Sequence, residues 1–207
     1  MKPVPIFIIS FNRLDMLRQS IESYHQHIGD AFRLVIDDNA STYLPLLHYL
    51  DELERTGEAE VVRHTENPRL FQLAPTIRKT IDQWFQGNDA DYYVVTDPDI
   101  ALSHTRPDIL QFYAYLLDSI DAIDVVEPML RIDDIPTSYR WRTSAIDNHT
   151  EQFWGKAPQT VVWKGCAYHV LPSMIDTTFG MYRKGFSFDR LNIGLRTYAP
   201  YCARHLD

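Results

Sequence analysis

Hydrophobic positions along this chain follow two alternating periods. Pro5-Ile6-Phe7-Ile8-Ile9-Ser10 is a continuous apolar run, the pattern of a strand covered on both faces. Leu14, Leu17, Ile21, Tyr24 and Ile28 then recur at helical spacing. Leu34-Val35-Ile36 predicts a second buried strand, ending in the polar stretch Asp37-Asp38-Asn39-Ala40-Ser41-Thr42. That stretch reads as a turn and a helix start, with Asp38, Asn39 or Ser41 as the cap. Leu46, Leu47, Leu50 and Leu53 line the next helix, and Gly57 fits its stop. Glu60 to Arg63 forms a weaker third strand, and Leu73, Ile77, Ile81, Trp84 and Phe85 a third helix. Asp91 to Thr96 makes a fourth strand that ends abruptly at Asp97-Pro98-Asp99. Ile109, Phe112, Tyr113, Leu116 and Leu117 form a further helical face, followed by a strand at Val125-Val126.

This alternation predicts an α/β fold with a mostly parallel central sheet flanked by helices. In such a sheet the carboxyl ends of the strands share one rim, and ligands bind there. Three polar clusters fall at that rim: Asn12-Arg13, Asp37-Asp38 and Asp97-Asp99. After about residue 131 the alternation fails. Residues 131–160 read as a long irregular loop that covers a site. Val161-Val162-Trp163 and Ile175 to Tyr182 read as strands of a small antiparallel part.

The apolar fraction of 45% and aromatic fraction of 13% suffice for a packed core, which excludes a disordered chain. A net charge of −8 argues against general affinity for nucleic acid or anionic membranes. A nucleotide is still admissible if arginines or a metal ion neutralise it locally. Cys166 and Cys202 make no disulfide framework and are expected as free thiols. No apolar run reaches the roughly 20 residues of a membrane helix, and Met1-Lys2-Pro3 does not open a signal peptide. The expectation is a cytoplasmic protein that meets a membrane surface only through a partner.

Asp97-Pro98-Asp99 carries the sharpest chemical signal. Alternate residues of an extended segment point the same way, and two carboxylates at close range repel unless a cation or proton intervenes. A hard divalent ion, Mn²⁺ or Mg²⁺, binds through one or two carboxylates plus phosphate oxygens and water. The alternative is a solvated turn that opens the next helix. A carboxylate at Asp37 or Asp38 matches the imide N–H of uracil; the alternative there is a helix cap. Arg13 suits a pyrophosphate or base contact, or else simply begins a helix. Arg69 and Arg78, near the third strand–helix junction, are candidates for neutralising phosphate or are ordinary surface charges.

Pro5 to Arg13 (PIFIISFNR), Leu34 to Thr42 (LVIDDNAST) and Tyr92 to Asp99 (YYVVTDPD) together resemble the GT-A-fold glycosyltransferases, especially the family-two type. The likeness extends over about the first 130 residues. It implies a Rossmann-like GT-A fold in a single domain, 1–207. Residues 1–130 would bind the nucleotide sugar, and an irregular part, 131–207, would serve the acceptor. It implies Asp38, or Asp37 if the alignment slips by one, as the uracil contact. It implies Asp97 and Asp99 as the carboxylates that hold the metal and diphosphate, with Asn12 and Arg13 beside the nucleotide. His205 resembles a late histidine that completes the metal shell in some of these enzymes. The family's usual glycine is Ala40 here, and an Asn-x-Gly-rich segment is replaced by Asn67-Pro68-Arg69-Leu70, so the base-contact loop must differ.

Transfer to a hydroxyl needs a general base. Asp176 is the first candidate, followed by Asp189, Asp147 and Glu151; a cap in a strand or loop is the alternative for Asp176. The partners implied are a nucleoside-diphosphate sugar, with UDP favoured, and a saccharide or other hydroxyl acceptor. Three rivals remain open: a haloacid-dehalogenase-like Mg²⁺ phosphatase, a non-catalytic binding module of transferase fold, and a nucleotidyltransferase. The first normally has Thr or Val where this chain has Ala101, and the last has a glycine-rich loop that Ser10-Phe11-Asn12-Arg13 lacks.

Overall fold

The computed structural model describes residues 1–68 and 70–206 of the chain. The elements run β1 (Val4–Ser10), α1 (Leu14–His27), β2 (Phe32–Asp38), α2 (Leu44–Thr56), β3 (Ala59–Arg63), α3 (Leu70–Gly87), β4 (Tyr92–Thr96) and β5 (Ile100–Ala101). They continue with α4 (Ile109–Ser119), β6 (Val125–Leu130), α5 (Arg142–His149), a single π-helical turn (Thr150–Trp154), β7 (Gln159–Trp163), β8 (Cys166–Ile175), β9 (Gly180–Arg183) and β10 (Asn192–His205).

The strands form one sheet in the order β3-β2-β1-β4-β9-β6-β10-β8-β7, with β5 attached to β10. β3, β2, β1 and β4 are mutually parallel. The middle of each inner strand, Val4–Ile9 of β1 and Leu34–Ile36 of β2, is apolar because both of its faces are covered. Ile6 and Ile8 pack under Leu17, Ile21, Leu46 and Leu50 of α1 and α2. Phe7 and Ile9 point the other way, against Ile77, Ile81 and Trp84 of α3. α2 ends at Gly57, whose φ of 74° is the left-handed stop that a glycine adopts without strain.

The α/β class with helices on a central sheet is as the alternation implies. Beyond β4 the sheet turns largely antiparallel: β9 pairs antiparallel with both β4 and β6, and β8 with both β10 and β7. The expected strand over Ile175 to Tyr182 is the end of β8 and the start of β9, broken between by residues 176–179. β10 gives no clear apolar signal because a buried arginine, Arg196, sits inside it and Pro200 interrupts it.

Two expectations are corrected. Residues 131–160 are not one irregular loop but contain α5 and the π-helical turn. No residue of α5 is buried, so it has no apolar stripe to announce it. Second, neither Asp38, Asn39 nor Ser41 caps α2. Tyr43 occupies that position without a side-chain cap, and Asp38 and Ser41 bond to one another instead. Both cysteines are free thiols. Among the described residues no helix is long and apolar enough to cross a membrane.

Candidate active site

Register places the three polar clusters on one rim. Ser10 stands opposite Asp38 in β2, and Ile8 stands opposite Thr96 in β4. The exit of β1 therefore lies between the two acidic clusters, with neighbouring strands about 5 Å away on either side.

Asn12 leaves β1 at φ 54°, a left-handed conformation that asparagine tolerates better than most residues. Its backbone N–H donates to Ser41 Oγ at 3.0 Å. Its side-chain oxygen accepts from the backbone N–H groups of Thr42 and Tyr43 at 2.8 and 2.9 Å. Asn12 thereby fastens the loop after β2 to the end of β1. The next residue, Arg13, reaches the other way and forms an ion pair with Asp99.

Alternation along β2 sends its two terminal acids to opposite faces. Asp37 faces α3, where Thr80 Oγ1 donates to it at 2.7 Å and His64 Nε2 lies at 2.8 Å. Its second oxygen is buried without a hydrogen bond. Asp38 faces the α1/α2 side and accepts from the Ser41 hydroxyl and, at 3.3 Å, from the Ser41 backbone N–H. Both acids are buried, at 0% and 2% exposure.

The backbone of the Asp-Pro-Asp segment is pinned on three sides. Ser20 Oγ donates to the Pro98 carbonyl at 2.9 Å, and the Leu206 N–H donates to the Asp99 carbonyl at 2.8 Å. The Asp97 N–H donates to the Thr177 carbonyl at 3.1 Å. The Thr177 hydroxyl donates to the Asp97 carboxylate and accepts from Arg190 Nη2 at 3.3 Å. Burial pushes the Asp97 carboxyl up to about 6; the Thr177 hydrogen bond and the Arg190 charge oppose this, and the Asp99 charge adds to it. Asp99 is the more deeply buried of the pair, with His205 Nε2 at 3.8 Å from its Oδ1. The antiparallel pairing of β5 with β10 puts His205 opposite Ile100 and so brings the chain's end to this point.

Asp99 Oδ1 is buried without a hydrogen bond, as suits an oxygen that faces a cation. Among the described residues no three of His, Cys, Asp and Glu converge as a self-sufficient metal cage. The arrangement fits instead a hard divalent ion held by one or two carboxylates, with phosphate oxygens and water supplying the rest.

The opposite wall comes from the C-terminal strands. Asp176, 57% exposed at its side chain, accepts from Thr178 Oγ1 at 2.8 Å and lies 3.5 Å from Arg196 Nη2. Arg196 pairs with Glu127, its register partner in β6, and both are buried. Between His205 and α5 lies a cavity of about 300 Å³ lined also by Leu130, Asp134, Tyr139 and His149.

Several predicted residues lie elsewhere. Asp189 is exposed and accepts from the Arg190 N–H at 2.8 Å, a local turn contact. Arg78 donates from Nε to the Ala74 carbonyl at 3.2 Å and lines a cavity with Phe85, Tyr93 and Phe186, not with Asp97. Asp147 and Glu151 belong to α5 and the π-helical turn. Arg69 lies outside the described residues. Sequence reasoning missed Thr177, Arg190, Glu127 and Arg196. Of these only Glu127 left a trace, as the single charge inside the apolar run Val125 to Leu130.

No protein-family model matches the chain, and no curated protein does. Solved structures do match. GalNAc-T7 with UDP, GalNAc and Mn²⁺ aligns with a TM-score of 0.60 at 12% identity, over 98% of this chain and 43% of that one. TarS from S. aureus aligns at 0.59 and 11% identity, over 99% and 37%. The mannosyltransferase PcManGT from Pyrobaculum calidifontis, in complex with GDP-Man and Mn²⁺, aligns at 0.51 and 15% identity, over 87% and 44%. This chain thus spans less than half the length of each. Identities this low carry the fold and nothing finer. The chain has a GT-A-like α/β fold, similar to that of these solved structures.

Proposed function

We propose that the protein transfers a sugar from a nucleoside-diphosphate sugar, with UDP favoured as the nucleotide, to an acceptor hydroxyl, with Mn²⁺ or Mg²⁺ as cofactor. One observation carries this reading. Consecutive residues at the exit of β1, Asn12 and Arg13, bond to the Asp38 loop on one side and to Asp99 on the other. A nucleotide laid across that exit has its base toward Asp38, since Asp37 is turned away to Thr80 and His64, and its diphosphate toward Asp97 and Asp99. Mn²⁺ in the complexes of GalNAc-T7 and PcManGT supports a divalent ion here as well. Residues 1–130 then form the donor part of one domain and 131–207 the acceptor part.

Asp97, Asp99 and His205 would hold the cation, which when bound neutralises charge on the leaving diphosphate. The chain's own residues divide the remaining work. Arg13 lies at the diphosphate end and adds a fixed positive charge there. Asp38, held by Ser41, orients the base. Asp176 presents an exposed carboxylate on the far wall and takes the proton of the acceptor hydroxyl. The acceptor oxygen then attacks the anomeric carbon as the diphosphate departs. α5 and the π-helical turn stand over this wall and limit competing attack by water. Asp189, exposed and engaged with Arg190, is the weaker candidate base. Arg78 and Arg69 are not needed for this arrangement.

A phosphatase of the haloacid-dehalogenase type requires an Asp97 free to attack phosphorus, whereas Thr177 binds that carboxylate. The direct test is calorimetry with UDP, and then GDP, with and without Mn²⁺. Micromolar to millimolar binding that needs the metal and vanishes in Asp99→Ala is expected. Absence of metal-dependent binding for every nucleoside diphosphate tried overturns the proposal.

A further inference from the structure

Arg196 is buried in β10, and every face of its guanidinium is used by a different part of the molecule. Nη1 pairs with Glu127 Oε1 at 2.5 Å, on the neighbouring strand and at the same register position. Nη2 lies 3.5 Å from the Asp176 carboxylate at the mouth of the site. The flat face carries the ring of Phe153, whose centroid is 4.1 Å from Cζ. Phe153 belongs to the π-helical turn that continues α5.

Two facts argue that this arrangement does more than hold the fold together. A buried ion pair is a poor source of stability, because desolvation offsets most of the attraction, and apolar residues of similar volume often do as well. Here, moreover, satisfaction is incomplete, since Arg196 Nε is buried without a hydrogen bond. Second, the cover segment has few other anchors. α5 buries no residue. The π-helical turn is tied down by Phe153 on Arg196, by Trp154 Nε1 donating to the Leu130 carbonyl at 3.0 Å, by the Tyr198 hydroxyl donating to the Phe153 carbonyl at 3.5 Å, by the edge of Trp154 against Tyr198, and by the packing of Phe153 and Trp154 on Met129, Leu171 and Cys202. Single π-helical turns inserted in helices recur at functional sites.

We infer that Arg196 is a positioning residue that couples the cover, residues 142–154, to the orientation of Asp176. Glu127 sets the guanidinium plane from below, Phe153 reads that plane from above, and Asp176 is held at its edge. When the turn carrying Phe153 lifts, the guanidinium loses its stacked partner and Asp176 loses its fixed neighbour. The acid is then in place only while the cover is down. This inference rests on the reading of Asp176 as the acceptor-side base, although the coupling itself is measurable without any donor.

Hydrogen exchange on the full chain tests it, with the Thr178 amide as reporter. That N–H donates to Glu127 Oε2 at 3.3 Å and so senses the Glu127–Arg196 unit from the side away from Phe153. Phe153→Leu removes the stack without touching the buried pair. It is expected to speed exchange roughly fivefold, the population change that a cation–π contact of ordinary strength corresponds to, both in 142–154 and at Thr178. Phe153→Tyr keeps the ring and is expected to restore wild-type exchange at both. Arg196→Lys keeps the charge but loses the fork and much of the stack, and is expected to loosen both segments. If it does not fold, the Phe153 pair decides alone. Loosening of 142–154 with an unchanged Thr178 amide, or equal loosening in the Leu and Tyr variants, overturns the inference. Metal-dependent UDP affinity should be the same in both Phe153 variants as in the wild type. Failure of nucleotide binding in the wild type would remove the functional reading and leave the coupling result standing.

Discussion

Replacing Asp97 by asparagine should make the metal-free protein more stable and leave it unable to bind metal and nucleotide. Asp97 is part-buried, and its carboxyl is raised from 3.8 to about 6, chiefly by loss of hydration. The sign follows from the order of proton loss. Well below the unfolded value of 3.8 both folded and unfolded chains hold the proton, and the group contributes no difference. As pH rises the unfolded chain releases its proton first, so stability falls until the folded carboxyl also ionises near pH 6. Above that the penalty is constant, at about 3 kcal/mol for a rise of this size. Asparagine is nearly isosteric, keeps an oxygen for the Thr177 hydroxyl, and never ionises. In chelator at about pH 8 the variant should therefore unfold about 3 kcal/mol later, or roughly 6–12 °C higher for a chain of this length. At about pH 4.5 the gap should shrink to about 1 kcal/mol. Paired thermal melts by circular dichroism read both numbers. Addition of Mn²⁺ with UDP should then raise the wild type alone. A gap that does not change with pH, or a variant less stable at about pH 8, refutes the claim that a desolvated charge is held at this position. A solvated turn predicts a difference near zero at both pH values.

Three further outcomes test the frame around the site. Thr80→Val removes the 2.7 Å donor to buried Asp37 without changing volume, and should lower stability by about 1–3 kcal/mol in urea unfolding. In Gly194→Ala the new Cβ would meet the Val125 carbonyl oxygen at 2.3 Å, so β10 must move away from β6. A loss of about 3 kcal/mol or more is expected in the same assay. Phe112→Ala empties a ring position that stands 4.5 Å from Tyr201, 5.0 Å from Tyr168 and 5.1 Å from Trp163. It should cost about 3–5 kcal/mol, read as a lowered melting temperature, because α4 then loses its seat on β8 and β10.

The N-terminal half of the protein was readable from pattern because every signal there is local. The run from Pro5 to Ser10 is apolar at each position because helices cover both faces, and α1 and α2 show their buried stripes at helical spacing. The acidic clusters declared themselves by type and by placement just after buried strands. α5 was invisible for the converse reason: with nothing buried, it leaves no periodic trace. β10 was obscured by Arg196, a charge that a strand interior admits only with a partner, and that partner, Glu127, lies 69 positions earlier in the chain.

The amino-acid sequence by itself determined the α/β alternation, a largely parallel run of the first four strands and the chemical types available at their rim. Periodicity and propensity act over a few residues, and these features need no more. Tertiary structure alone decided which face each acid takes, with Asp37 turned to Thr80 and Asp38 to Ser41. It also decided that Arg13 reaches Asp99, that Thr177 meets Asp97, and that His205 arrives beside Asp99 through β10. Each of the last three contacts joins positions far apart in the chain, and only the register of paired strands sets how near they come.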